Sequence, residues 1–297
     1  MTLFPTIIDL ELSNRCNLDC VMCPRLPQTL NMGDMSPALL NTVLDEALVE
    51  PNRIFRLHGI GEPLLSRSFR PAVERIKSAP GGHVIELVTN GHLLSKDTAR
   101  FILRQGVDYI TVSVAAATAD TYAVVRKSKK HELVVRNTIR LLDERARLGA
   151  DCEVRVQIVR IPPADQEVEA FVEFWSRFDV VVEVWHDLNW GRRALNLPAT
   201  VDVDPCRQLY TYAVVCWDGR VGICCVDGAR MHVVGHLPEQ TLREAFNSET
   251  MQSLRGIHER RESYLMPMCA DCSFREGHHV AFESNVHRTG ARPGPLL

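Results

Sequence analysis

The sequence predicts an α/β fold: a partial, TIM-like (β/α)6 barrel followed by a small domain made of a β-hairpin and helices. Three observations carry this prediction. Short β-branched runs alternate six times with longer amphipathic stretches, which is typical of βα units around a parallel sheet. Six units in about 190 residues are too few for a closed eight-stranded barrel of roughly 250 residues. After Arg193 this alternation stops, and cysteine becomes frequent.

The predicted elements follow one another in a regular order. The strands occupy residues 7–12, 53–58, 84–88, 109–114, 153–160 and 180–185. The helices between them occupy residues 37–49, 69–77, 95–105, 132–148 and 166–178, and several begin with Ser, Asp or Pro in a capping position.

A second, smaller domain is predicted after the barrel. Asp218-Gly219 separates two β-rich runs, which is a strong signal for a two-residue hairpin turn and would place Cys216 opposite Val221. Helical patterns follow at residues 242–247 and 251–260. We expect the barrel at residues 1–195, the second domain at 196–285, and a frayed tail at 286–297.

Composition excludes several classes of protein. The 297 residues hold 34 Lys and Arg against 37 Asp and Glu, so the charge of −3 does not indicate a nucleic-acid binder. No apolar run approaches the roughly 18 to 20 residues of a membrane span, and the N-terminus lacks the pattern of an export signal. We therefore expect a cytoplasmic protein, in which the ten cysteines hold metal more readily than they form disulfides.

The first group of cysteines is Cys16-x3-Cys20-x2-Cys23, directly after the first predicted strand. Active sites of βα barrels lie at this end of the strands. Three thiolates in one short loop suit three irons of a cubane iron–sulfur cluster and leave the fourth iron open for a ligand. The alternative is a structural zinc site, for which no fourth ligand of suitable spacing lies nearby.

The segment SNRCNLDCVMCP resembles the cysteine loop of the radical S-adenosylmethionine (radical SAM) superfamily, and the resemblance covers nearly the whole chain. It implies a [4Fe-4S] cluster whose open iron binds S-adenosylmethionine (SAM) and cleaves it to a 5′-deoxyadenosyl radical. It also implies an electron donor such as flavodoxin or ferredoxin. The protein itself would supply orientation and exclusion of water.

The resemblance also implies contacts to SAM outside this loop. GIGEP, after the second predicted strand, resembles the family's glycine-rich motif, although Ile60 departs from it. Gly61 and Glu62 would then bind the SAM ammonium, and Arg126 would pair with the SAM carboxylate. The alternatives are a plain turn for GIGEP and a helix-surface position for Arg126. The other expected contacts are Met22, Asn90, Ser113 and Ile158.

The second group of cysteines resembles the twitch module, a shortened form of the SPASM domain that binds auxiliary clusters. Four positions match, Cys206, Cys224, Cys269 and Cys272, which implies a second [4Fe-4S] cluster. A four-cysteine zinc site is the physical competitor, because tetrahedral zinc accepts the same ligands.

A cluster with four protein ligands has no open iron, which favours electron transfer and hence oxidation of a substrate. The chain resembles the dehydrogenases and epimerases of aminoglycoside biosynthesis, including 2-deoxy-scyllo-inosamine dehydrogenase. We therefore expect a small-molecule alcohol, an aminocyclitol or aminosugar, to be oxidised to a ketone. Arg192 or Arg193 would orient the substrate hydroxyl or help to deprotonate it, and Asp187 would meet a substrate ammonium.

Three other functions remain open at this point. An epimerase would return a hydrogen atom to the substrate radical from a spare thiol, for which Cys225 ranks ahead of Cys216, with Cys152 as a third candidate. Burial as small hydrophobic residues is the alternative role of these thiols. The other two functions are peptide modification and a metal-binding module without catalysis.

Overall fold

The computed structural model describes residues 2–25, 31–186, 204–228, 230, 232–270 and 272. Its strands are, in chain order, β1 (Ile7–Leu10), β2 (Ile54–Leu57), β3 (Val84–Thr89), β4 (Tyr109–Val112), β5 (Glu153–Arg160), β6 (Val181–His186), β7 (Tyr212–Val215), β8 (Arg220–Gly222) and β9 (Val233–His236). Its α-helices are α1 (Pro37–Ala47), α2 (Phe69–Ser78), α3 (Lys96–Arg104), α4 (Ala119–Arg126), α5 (His131–Leu148), α6 (Val168–Trp175), α7 (Gln208–Thr211), α8 (Leu242–Phe246), α9 (Glu249–Glu259) and α10 (Pro267–Ala270).

The chain divides into two compact units. Of the described residues, the first unit contains 2–15, 24–25, 31–84, 204–228, 230, 232–270 and 272, and the second contains 16–23 and 85–186. Both units draw on distant parts of the sequence, so neither is a simple N-terminal or C-terminal half.

The sheet of the first unit is built around β1, which pairs in parallel with β2 on one side and with β7 on the other. Leu10 is the last residue of β1, and it lies opposite Leu57 in β2 and Val215 in β7. Strands β8 and β9 extend the sheet beyond β7 by antiparallel pairing. The segment predicted as a separate hairpin domain is therefore joined to the first strand of the chain by backbone hydrogen bonds.

The second unit is a parallel βα structure in which β3, β4, β5 and β6 pair in sequence order. Successive side chains of a strand point to opposite faces, and in β5 the buried residues Val154, Val156 and Ile158 share one face. The long helix α5 packs beside α3. The predicted α/β class with parallel strands is confirmed.

Local sequence explains where the helices begin. The hydroxyls of Ser36, Ser95 and Thr118 each accept a hydrogen bond from the backbone N–H three residues later, at the first turns of α1, α3 and α4. Thr241 and Glu244 form a reciprocal capping box at the start of α8. No helix in the described part of the chain is long and apolar enough to cross a bilayer.

The predicted two-residue turn at Asp218-Gly219 is wrong by one position. Val215 pairs with Val221, and the Cys216 N–H donates to the Arg220 carbonyl at 2.9 Å. The loop therefore holds three residues, with Gly219 at φ +92°. Three-residue hairpin loops require a left-handed residue at this position, and glycine adopts that conformation without strain.

Candidate functional site

The first cysteine loop lies in the second unit, where Cys16, Cys20 and Cys23 are all partly buried. The Cys23 N–H donates to the Cys20 carbonyl at 3.1 Å, which closes a tight turn between these two residues. The Val21 N–H donates to the carbonyl of Val125 at 3.0 Å, which ties the loop to α4. Backbone hydrogen bonds thus hold the loop that carries the three thiols.

Arg126, the last residue of α4, contacts this loop directly. Its Nη1 donates to Cys20 Sγ at 3.2 Å and its Nη2 donates to the Ser113 carbonyl at 2.5 Å. Burial alone would lower the pKa of the guanidinium, but the attraction of Cys20 and the hydrogen bond to it raise that pKa. Arg126 is only 9% exposed, so a helix-surface position is wrong, and its buried Nε has no hydrogen-bond partner in the structure.

Asn90 contacts the same loop from the end of β3. Its Nδ2 donates to Asn17 Oδ1 at 2.8 Å and lies 3.7 Å from Cys16 Sγ. The next residue, Gly91, has φ +78°, and a Cβ there would lie 2.9 Å from Val112 Cγ1. The turn after β3 therefore requires glycine, and this turn aims the Asn90 amide at the cysteine loop.

Ser113 directly follows β4, and its Oγ donates to Oε1 of Gln157, which lies within β5, at 3.2 Å. Ile158 is fully buried on the opposite face of β5, so only its backbone can contribute on the side of Gln157. Met22 lies within the cysteine loop and is partly buried.

The glycine loop, residues 59–62, lies in the first unit after β2. A Cβ on Gly61 would lie 2.0 Å from the Ser13 carbonyl oxygen, so only glycine allows this approach of two backbones. The Glu62 N–H donates to the Arg15 carbonyl at 2.8 Å, and the Glu62 carboxylate caps the following 3-10 turn by accepting from the Leu64 N–H at 3.2 Å. The segment is thus more than a plain turn, because it is fixed against the extension of β1.

The four matched cysteines of the second group come together in the first unit. Cys206, Cys224, Cys269 and Cys272 line one cavity, although 66 positions separate the first from the last in sequence. The Cys269-x2-Cys272 pair is closed by a turn, in which the Cys272 N–H donates to the Cys269 carbonyl at 3.4 Å. The Val226 N–H donates to Cys224 Sγ at 3.4 Å.

The chain matches two family models. The model described as the radical SAM superfamily matches residues 10–174, more than half of the chain, and the model described as the SPASM iron–sulfur cluster-binding domain matches residues 206–273. The chain belongs to the radical SAM superfamily. These matches imply a [4Fe-4S] cluster, SAM and additional iron–sulfur chemistry in the SPASM region.

Individual relatives of this radical SAM protein differ in what they act on. The chain is 24% identical to a tungsten-containing aldehyde ferredoxin oxidoreductase cofactor-modifying protein of Pyrococcus furiosus, over 96% of this chain and 92% of the relative. Its fold is similar to that of BtrN in complex with AdoMet and 2-DOIA (TM-score 0.63, 19% identity, 92% and 94% coverage). It is also similar to anSMEcpe with bound AdoMet and Kp18Cys peptide (TM-score 0.67, 15% identity, 91% and 89% coverage).

The residues of both cysteine groups suit the clusters that the family implies. The hydrogen bond of Cys224 to Cys225 and the burial of Cys224 raise the pKa of its thiol well above the ordinary value, and repulsion from the charges of Cys225, Cys272 and Cys206 adds to the rise. Iron bound to these sulfurs would remove that like-charge repulsion. Within the described residues no group of three His, Cys, Asp or Glu is arranged around a single metal ion; the thiolates of a cluster instead each bind a different iron.

The spare thiols of this radical SAM protein have three different environments. Cys216 is fully buried beside Tyr212 and Val214, and burial raises the pKa of its thiol to about 12. Cys152 is 6% exposed, and burial likewise raises its pKa to about 12. Cys225 is partly buried, and its hydrogen bond with Cys224 lowers its pKa to about 7.

Cys224 and Cys225 are neighbours in sequence but have different surroundings. They do not belong to a strand, because β8 ends at Gly222 and a turn follows. Cys224 lines the thiol cavity, whereas Cys225 packs against the cluster of Tyr212 and Cys216. The separation therefore arises from the turn.

Of the polar residues expected on the loop after β6, Asp187, Arg192 and Arg193 lie outside the described residues. The structure also shows two buried pairs of oppositely charged side chains that were not predicted from the sequence. Asp9 hydrogen-bonds to the Tyr212 hydroxyl and lies near Arg56, and Glu11 pairs with Arg230. The available signal was the pair of acidic residues at alternate positions of an otherwise apolar first strand.

Proposed function

We propose that this radical SAM protein oxidises an alcohol of an aminocyclitol or aminosugar to a ketone. One observation carries the proposal: Cys206, Cys224, Cys269 and Cys272 line the same cavity. Four thiolates fill the protein-facing positions of a [4Fe-4S] cluster and leave no iron open to a substrate. An auxiliary site of this kind is suited to accept an electron.

When bound, SAM and the clusters supply a 5′-deoxyadenosyl radical and an electron acceptor. The substrate loses a hydrogen atom from its carbinol carbon, a proton from its hydroxyl and one electron, which together leave a ketone. The hydroxyl proton passes to a base near the substrate, and Arg192 or Arg193 remains the prediction for orienting the hydroxyl or helping to deprotonate it.

Each unit supplies its own residues for the proposed contacts to SAM. In the second unit, Arg126 would bind the SAM carboxylate, because its buried Nε has no partner in the structure and a guanidinium matches a carboxylate. Asn90 and Ser113 are the polar contacts proposed beside it. In the first unit, Glu62 would accept hydrogen bonds from the SAM ammonium.

Anaerobic incubation with SAM, dithionite and a panel of aminocyclitols tests the proposed reaction. The expected product has lost two hydrogen atoms, and 5′-deoxyadenosine forms in equal amount. The double variant Cys269→Ala/Cys272→Ala should still cleave SAM but form no ketone, whereas the control Cys152→Ala should behave as wild type. Ketone formation by the double variant would contradict the role given to the thiol cavity.

An epimerase is the second candidate, and the environment of Cys225 favours it. This thiol contacts both the Tyr212 hydroxyl and Cys224, which lines the thiol cavity. Cys225 could donate a hydrogen atom to the substrate radical and be restored by one electron from the auxiliary cluster and one proton. In deuterated solvent, a product one mass unit heavier than the substrate, with deuterium at an inverted centre, would establish this reaction over dehydrogenation.

Peptide modification is the third candidate, because similar proteins include one solved with a bound peptide and the mycofactocin maturase MftC of Mycobacterium tuberculosis. The latter is 23% identical over 75% of this chain and 62% of its own length. A flavodoxin or ferredoxin is proposed as the electron donor for any of the three reactions.

A further inference from the structure

A buried ion pair joins the two ends of the first unit. Arg230 Nη2 donates to Glu11 Oε2 at 2.9 Å, and the two side chains are only 4% and 2% exposed. Because a buried charge without its partner is strongly destabilising, each residue depends on the other for its position. The pair therefore links the extension of β1 to a segment that follows it by 219 positions.

Glu11 also holds the glycine loop. The Ile60 N–H donates to Oε2 of Glu11 at 3.2 Å, the same oxygen that accepts from Arg230. A Cβ on Gly59 would lie 2.6 Å from Glu11 Cγ, so the loop packs directly on this side chain. A change in the orientation of Glu11 would move the backbone that leads into Glu62.

Arg230 is held in turn by the Cys224 turn, which we define as residues 224–228 and 230. The Asp227 N–H donates to the Cys224 carbonyl at 3.3 Å, and Arg230 donates to the Asp227 carbonyl through both its backbone N–H (3.0 Å) and Nη1 (2.7 Å). Arg230 adopts φ +53°, a conformation that a non-glycine residue keeps only where its surroundings fix it. The fully buried Asp227 carboxylate adds a hydrogen bond from the His232 N–H at 2.8 Å.

We propose that Arg230 is a positioning residue for SAM: through Glu11 it fixes the glycine loop, and so it couples the order of the Cys224 turn to SAM affinity. This inference rests on the role proposed for Glu62. Iron at Cys224 would order the turn, and the turn would then present Arg230 to Glu11. Loading of the auxiliary site and binding of SAM would thus favour one another, because linkage between two sites is reciprocal.

The test measures SAM affinity by equilibrium dialysis without reductant, on reconstituted variants whose iron content is determined in parallel. Arg230→Gln should keep its iron and bind SAM about tenfold more weakly, a typical coupling between two sites. Arg230→Lys should fall between this variant and wild type, because an ammonium lacks the fork that reaches both Glu11 and the Asp227 carbonyl. Wild-type affinity in either variant overturns the proposal, and the Lys variant serves if the Gln variant does not fold.

Arg255→Gln is the matched control. Arg255 is 7% exposed and donates to the carbonyls of Leu209 and Phe246 at 2.9 Å each. Its replacement removes a buried guanidinium from the same unit, and neither of these two hydrogen-bond acceptors lies in the glycine loop. SAM affinity should therefore stay at the wild-type value even though stability falls. If Arg255→Gln loses as much SAM affinity as Arg230→Gln, Arg230 only stabilises the unit in general.

A double-mutant cycle separates coupling from simple damage. Cys269→Ala/Cys272→Ala should weaken SAM binding in the wild-type background but add little in the Arg230→Gln background, whereas additive losses overturn the coupling. Glu62→Gln tests the role proposed for Glu62 separately from the role proposed for Arg230. If Glu62→Gln weakens SAM binding and Arg230→Gln does not, only the present inference fails; if neither does, the role proposed for Glu62 fails as well.

Discussion

Replacing Gly61 with alanine gives a sharp test of the glycine loop, because the same change elsewhere in the first unit has the opposite expected sign. The new Cβ would lie 2.0 Å from the Ser13 carbonyl oxygen and 2.8 Å from that of Arg15. Both neighbours are backbone atoms, so no side-chain rotation relieves the overlap. Gly256, within α9, would place its Cβ 3.2 Å from Nη1 of Arg260, the far end of a flexible side chain.

Overpacking of this kind costs about 3 kcal/mol, the upper end of its usual range. For a chain of this size that cost corresponds to a midpoint lower by about 6 °C. Gly256→Ala should instead raise the midpoint slightly, because alanine is favoured over glycine inside a helix by about 0.5 to 1 kcal/mol. Thermal unfolding under anaerobic conditions and SAM dialysis measure both effects. If Gly61→Ala unfolds at the wild-type midpoint and binds SAM normally, the packing of the glycine loop on Ser13 is not as described.

Three further predictions concern the cysteine groups and their neighbours. A Cys16, Cys20, Cys23 triple alanine variant should lose SAM cleavage and retain the iron of the auxiliary site, measured by iron analysis; loss of all iron would contradict two independent sites. Arg126→Gln should weaken SAM binding by about 1.5 to 3 kcal/mol, the value of a hydrogen bond to a charged group, as measured by dialysis; unchanged affinity would remove Arg126 from the SAM site. Cys225→Ala should leave ketone formation intact in a dehydrogenase but convert an epimerase into a ketone-forming enzyme, read from product mass, with Cys152→Ala as control.

Much of the fold could be predicted from the sequence, because strand alternation and helix capping depend on residues that are close together in the chain. Strand β5 has the bounds that alternation predicts, and α1 begins at Pro37 as its capping pattern indicates. Helix α4 was missed, since its eight residues are too few for a clear amphipathic period. The omission matters, because Arg126 ends this helix and the helix is what buries its guanidinium beside Cys20.

The candidate site was predicted less completely, for a different reason. Cysteine spacing identified the first group of thiols, and the resemblance to the twitch module identified the second, whose four thiols the structure brings to one cavity. The buried ion pairs could not be predicted, because Glu11 and Arg230 lie 219 positions apart and neither position carries a local pattern that names its partner. Such a pair becomes visible only when pairing of distant strands is known.

The pairing of β1 with β7 places the segments that follow these two strands next to each other. Leu10 lies opposite Val215, and the Glu11 N–H donates to the Val215 carbonyl at 3.0 Å, so the two strands end at the same level of the sheet. Parallel strands send their following loops out from one edge. The extension of β1 toward the first cysteine motif and the hairpin toward Cys224 therefore start side by side, and Glu11 can meet Arg230 there. A hydrogen-bonded sheet is a stiff connection, so the ion pair can carry coupling between the Cys224 turn and the glycine loop.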